Sequence, residues 1–247
     1  MKRLYKGAAL GILLSVGYLG IITGKRAVEK LFTVSQYTVT YDPLLSETVQ
    51  TTITNLVAEQ LQVRATVQVF VNFLQEQIPS IGSVDVRHTA DAMTHISVCA
   101  AQPEYCINET YVLTARATLA SCADYVPTAL QELPAVAVPS LAGNNSIDLT
   151  NLKRGLDALD RSLLQTHQLT RLSETESWLR DKSSPNFALV FNDYTVLDAK
   201  KRLYAALAKE RLEQGKLSGQ KAAAWAIDFR FQNQIILFAE KKGVSYG

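Results

Sequence analysis

One apolar run dominates what this chain can fold into: residues 7–24, GAALGILLSVGYLGIITG, carry no charge. A helix of that length reaches across the hydrocarbon core of a bilayer. Lys2, Arg3 and Lys6 precede it, Lys25 and Arg26 follow it, and no comparable run occurs later. The reading is one membrane span with a body tethered to it. A cleaved signal peptide shares the basic start, but its apolar stretch is shorter. Here Ile21-Ile22-Thr23-Gly24-Lys25-Arg26 offers no small-x-small cleavage site before charge resumes. An uncleaved anchor in the lipid bilayer is therefore expected. The short basic tail, residues 1–6, favours the cytoplasmic side, which sets the bulk of the chain outside the cytoplasm.

The body divides by charge. Residues 31–150 hold 3 basic and 11 acidic side chains, whereas residues 151–247 hold 16 basic and 11 acidic, so a total of +2 conceals two unlike halves. The change coincides with Pro134 to Ser146 (PAVAVPSLAGNNS), a loop-like stretch and the candidate linker. An acidic first half speaks against nucleic acid as a partner, and the basic excess of the second half is spread through helical segments as on a solvated face.

Alternation of β-branched and aromatic residues from Leu31 to Tyr41 predicts a strand. Asp42-Pro43 predicts an N-cap and first helical position, with Leu45, Val49, Ile53, Leu56 and Val57 at helical spacing after it. Val63 to Phe73 fits both periods: Val63, Val67, Val71 and Leu74 match a helix, while Val67, Val69, Val71 and Phe73 match a strand, which local propensity favours. Val84 to His88 and Met93 to Ala101 read as a hairpin. Leu152, Leu156, Leu159 and Leu163 mark one amphipathic helix after the cap candidates Thr150 and Asn151. Phe187 to Leu197 reads as two strands about an Asn192-Asp193 turn, Ala199 to Gln214 as a helix stopped by Gly215, and Ala224 to Phe231 as a strand. That strand sets Trp225, Ile227, Phe229 and Phe231 against Asp228, Arg230 and Gln232.

Several of these segments together resemble a known family. Ile78-Pro79-Ser80-Ile81-Gly82-Ser83-Val84-Asp85-Val86-Arg87, followed by Ile96-Ser97-Val98 and Gln102-Pro103, is similar to the heart of the POTRA domain of FtsQ/DivIB cell-division proteins. The family pattern there is P-x-I/V-x-x-V-x-V-x-R, then I-x-V-x-E-x-x-P. Cys99, Ala101 and Tyr41 depart from it. Ala224 to Phe231 resembles the V-D-L-R-Y/F strand near the end of these proteins. The resemblance implies an α+β chain: a single N-terminal transmembrane helix (7–24), a POTRA-like β-α-α-β-β domain (31–103), a mixed β domain with flanking helices (104–240, with loop 134–146) and a tail (241–247). It makes Thr66 to Gln77 a helix, against local propensity.

It also implies binding without chemistry, by a bitopic scaffold in the bacterial inner membrane, N-terminus in the cytoplasm, that recruits FtsB/FtsL-like division proteins. A partner segment would add to the strand edge at Arg230, Phe231, Gln232, Asn233, Gln234, Ile235, Ile236, Leu237 and Phe238. Edge strands offer free N–H and C=O groups, and alternate side chains supply specificity. The apolar residues of this segment can equally pack on their own core, and Arg230 can equally pair with Asp228 or Asp193. The alternatives are a POTRA-type module of outer-membrane assembly or secretion and, behind it, a membrane-tethered hydrolase.

No catalytic residues, metal site, cofactor or small-molecule substrate are expected. His88, His95 and His167 lack ligand spacing. Gln214-Gly215-Lys216 lacks the leading glycine of a phosphate loop. Ser218-Gly219-Gln220-Lys221 matches Ser-x-x-Lys without its companion motifs, and Asp157 and Asp160 read as a solvated helix face. Cys99 and Cys106 flank Pro103 closely enough for a disulfide, which would leave Cys122 over; three buried free thiols are the other reading.

Overall fold

A computed structural model of the chain describes residues 36–62, 66–89, 93–143, 147–184, 186–193, 195–213, 224–231 and 234–239. The expected span at 7–24, Ser218 to Lys221, Gln232, Asn233 and the tail 241–247 lie outside the described residues. No helix among the described residues is long and apolar enough to cross a membrane. The fold is mixed α+β, in two units, one holding the described residues up to Asp42 and Gln50–Cys99, the other Pro43–Val49 and the described residues from Ala100 onward.

The first unit follows the order β1 (Gln36–Tyr41), α1 (Glu47–Gln62, whose first turn belongs to the second unit), α2 (Val67–Gln77), β2 (Ile81–His88) and β3 (Met93–Ala100). Its sheet runs β1-β3-β2. β1 lies parallel to β3, with Tyr37 opposite Thr94 and Tyr41 opposite Val98, a pairing that needs a long crossover such as the two helices between them. The ambiguous segment is a helix. Thr66 caps it by accepting from Val69 N, and Phe70 and Leu74 are buried, while Val69, which a strand would have turned inward, is 58% exposed. Capping and the four-residue spacing of Phe70, Leu74 and Ile78 outweigh β-propensity here.

The helix expected from Asp42 starts later. Asp42 N still donates to Val98 O at 2.9 Å as an extension of the sheet. Leu45 then bridges Tyr125, Ser46 N donates to Asp124 O at 2.8 Å, and the Ser46 hydroxyl faces Val49 N at 3.4 Å as the working cap. Tertiary pairing of Leu45 overrides the local start signal.

Among the described residues the second unit is built on nine strands in the order β12-β11-β10-β9-β8-β7-β4-β5-β6. These are β4 (Pro103–Ile107), β5 (Tyr111–Thr114), β6 (Leu119–Ser121), β7 (Ala135–Ala137), β8 (His167–Ser173), β9 (Glu176–Asp181), β10 (Phe187–Phe191), β11 (Trp225–Asp228) and β12 (Ile236–Ala239). Helices α3 (Pro127–Leu130), α4 (Leu149–Asp157), α5 (Arg161–Thr166) and α6 (Ala199–Glu213) accompany them. On one face Leu152, Leu156, Leu159, Leu163, Leu164 and Ala205 bury against Tyr105, Ile107, Leu169, Leu179, Leu189 and Ile227. Period-two alternation sends Trp178, Ala188, Val190 and Ala226 to the other face. β10 is buried throughout, as suits a strand covered on both sides.

Three expectations are corrected here. The candidate linker at Pro134 to Ser146 contains β7, which pairs parallel with both β4 and β8, and the stretch buries Val136 and Val138 in the main core, so the change of charge marks no boundary. The leucine-striped helix is two helices. Asp148, not Thr150 or Asn151, caps the first by accepting from both of their amides, and Asp160 caps the second through Ser162 N. All four leucines stay buried because the break falls within their stripe. Phe187 to Leu197 is one strand, not two: the Asp193 carboxylate is held by the buried Arg171 guanidinium at 2.6 Å, and Val196 beyond the turn is 70% exposed.

Candidate partner-binding edge

The end of the nine-stranded sheet is assembled by one crossover and one hairpin. β10, α6 and β11 form a β-α-β unit with parallel strands, Leu189 opposite Ile227. β12 then returns antiparallel, setting Ile236, Leu237, Phe238 and Ala239 opposite Asp228, Ile227, Ala226 and Trp225. Among the described residues β12 has no strand on its other side.

The expected edge residues separate into three kinds. Leu237 packs partly into the main core, and Phe238 packs on the opposite face, edge-to-face with Trp178 at 6.1 Å between ring centroids. Phe231, Ile235 and Ile236 are 50%, 48% and 40% exposed, and Gln234 is exposed with them. Own-core packing and free apolar surface therefore coexist in one segment. Phe231 leaves the alternation expected of it, because the strand ends at Asp228.

Arg230 is an internal strut. Its guanidinium donates to both oxygens of Asp228, at 3.0 Å and 2.7 Å, and to Glu176 Oε2 at 3.0 Å. Asp228 is buried and also accepts from Arg230 N at 2.9 Å. Glu176 closes the group by accepting from Trp178 Nε1 at 2.7 Å. Asp228 above all raises the proton affinity of Arg230, against the opposing effect of burial and with help from Glu176. The expected partner Asp228 is found, Asp193 is engaged elsewhere, and Glu176 was not foreseen: it lies 54 residues away with no local signal pointing to it.

The remaining chemistry-bearing residues are dispersed. His88, His95 and His167 each meet a threonine hydroxyl, of Thr94, Thr38 and Thr166. Among the described residues no group of three His, Cys, Asp or Glu side chains is placed to hold a metal ion. Asp157 is not a solvated bystander, since it accepts from the buried Tyr105 hydroxyl at 2.8 Å and pairs with Lys153 at 2.6 Å. The expected Cys99–Cys106 link is not formed. All three cysteines are free, with Cys99 exposed and Cys106 and Cys122 half-buried, so neither the disulfide nor three buried thiols describes them.

In comparisons with known proteins, no family model matches this chain and no curated protein matches it.

Proposed function

We propose that this chain is a bitopic bacterial cell-division scaffold, anchored by residues 7–24 with its N-terminus in the cytoplasm, that captures a segment of an FtsB/FtsL-like partner as an added strand along β12. The observation that carries the reading is the state of that edge. β12 is paired on one side only among the described residues, and three large apolar side chains, Phe231, Ile235 and Ile236, stand exposed on and before it. Such an edge pairs with a further strand readily, and a bare one is an aggregation hazard. Main-chain bonds supply affinity, and Ile236 supplies an apolar contact on the added strand's outer course. Arg230 holds the approach to β12 in place through Asp228 and Glu176. The β-α-α-β-β order of the first unit agrees with the POTRA-like expectation and supports the same family reading.

The test follows a fluorescent fusion in dividing cells of the source bacterium and scores filament length after depletion. A mid-cell band with filamentation is the expected result. Uniform envelope fluorescence with normal division would overturn the reading and favour an assembly or secretion module, whose client strand would join the three-stranded sheet.

A further inference from the structure

Helix α6 carries apolar side chains on two opposite faces. Inward, Ala205 is buried, and Ala208 and Leu212 pack against the main core. Two cations serve the unit itself: Lys209 Nζ lies 2.9 Å from Asp181, and the Arg202 guanidinium 3.3 Å from Asp160. Outward, Leu203 and Leu207 are 59% and 44% exposed, although a helix on a globular unit usually has one apolar stripe, facing the core. Positions two before and two after Ala205 each lie about 200° round the helix from it, so the two leucines point directly away from the core. Lys200 and Glu210, both exposed, extend the same outer line. The intervals from Lys200 to Leu203, Leu207 and Glu210 are three, four and three residues, the a/d seam of a coiled coil.

That seam is self-complementary in one direction only. In an antiparallel pair centred on Ala205, Lys200 of one copy faces Glu210 of the other, and Leu203 faces Leu207. The same contacts then recur in reverse, as a twofold axis requires. A parallel pair would set Lys200 against Lys200 and Glu210 against Glu210. The Lys200 ammonium is held beside the seam, 5.9 Å from the centre of the Tyr204 ring.

We propose that the outer face of α6 is a homodimer interface, an antiparallel two-helix seam between two copies of this chain. The inference is independent of the division reading. A lipid surface fits the face less well: among its exposed charges Lys200 and Arg211 are balanced by Glu210 and Glu213, so anionic headgroups meet no net positive charge. Two leucine layers make an interface smaller than the roughly 1,200–2,000 Å² of stable complexes, so the dimer forms at high protein concentration and exchanges readily.

The test mixes unlabelled and isotope-labelled full chain in detergent at high concentration and adds a carbodiimide, which joins an amine to a carboxyl only where the two touch. Within one helix positions 200 and 210 are about 15 Å apart, so a peptide linking Lys200 to Glu210 reports two copies. The expected result is that peptide in mixed-isotope form. In sedimentation, Lys200→Glu and Glu210→Lys should each lower the dimer fraction by at least about fivefold, because each sets like charges opposite one another. The double variant, Lys200→Glu with Glu210→Lys, should restore the dimer and the link between positions 200 and 210. All variants share residues 7–24, so any association through that run is a constant background. If one single variant fails to fold, the other single variant and the wild-type link still decide the question. Absence of the mixed-isotope link at every concentration, or a dimer indifferent to the charge swaps, would overturn the proposal. Amide protection of α6 that appears only when anionic vesicles are added would overturn it too, and would give the face to a lipid surface.

Discussion

The two ends of the nine-stranded sheet are finished in opposite ways. At one end β6 is three residues long, the chain turns directly after it at Cys122–Asp124, Tyr125 bridges Leu45, and Ala120 is buried with Val112 and Tyr125. At the other end β12 carries exposed Ile236, is preceded by exposed Phe231 and Ile235, and has no strand beyond it among the described residues. Shortening and covering an edge is how a sheet avoids unwanted pairing. Under the proposed function, the exposed apolar side chains at the second end mark the edge that a partner strand would join.

The largest effect is expected at Leu45, which bridges Tyr125 beyond β6. Leu45→Ala deletes a side chain that is 1% exposed and should cost about 2–5 kcal/mol in denaturant unfolding, as large-to-small changes in well-packed sites do. A loss well under 1 kcal/mol would mean that this end does not depend on Leu45. At the open end, Ile236→Glu should weaken capture of the partner segment at least tenfold, about 1.4 kcal/mol, measured by titration with a labelled partner peptide. Its own stability should stay within about 0.5 kcal/mol of wild type. Phe238→Glu sharpens the contrast, because it removes the edge-to-face contact with Trp178 and so destabilises the fold as well as the interface. Equal binding by folded Ile236→Glu protein would sink the edge assignment.

Smaller effects separate the halves of the sheet. Tyr105→Phe, on the covered side, leaves Asp157 without the 2.8 Å donor and should cost about 1 kcal/mol in chemical unfolding. Nearer the open end, burial disfavours the charged form of Asp181, but the Ser183 hydroxyl and amide and the Lys209 ammonium outweigh it and hold the carboxyl well below the usual range. A depressed carboxylate contributes stability above its unfolded value near ~4, and loses that contribution as pH falls through the folded value. Between pH 5 and pH 3 the wild type should therefore lose more stability than Asp181→Asn, by roughly 0.5–1 kcal/mol, read from paired thermal melts. Identical acid profiles would remove Asp181 from the account.

Much of this was legible in local pattern. Alternation located β1, β2, β3 and β11, and the four-residue spacing of the leucines from Leu152 to Leu163 identified a buried helical face. Chemical identity also marked the apolar terminal segment as one that needs cover. Legibility failed wherever a distant residue decided. Asp193 reads as a turn residue, yet its carboxylate is taken by Arg171. Pro134 to Ser146 reads as a linker because proline, glycine and asparagine dominate it, yet three of its residues lie between β4 and β8. Charge patterning placed a boundary there because it sums over sequence, whereas a core is assembled over space.

Sequence alone determined the local matters: an apolar run long enough for a membrane, the caps and stripes of most helices, and the strands whose alternation survives burial. These depend on residues within a few positions of one another, where backbone geometry dictates which side chains share a face. The order of the strands, the joining of Arg230 to Glu176 and the pairing of Leu45 with Tyr125 were decided only by the tertiary structure. Each depends on pairings across tens of residues, and a pairing energy shared between distant segments leaves no periodic trace in either one.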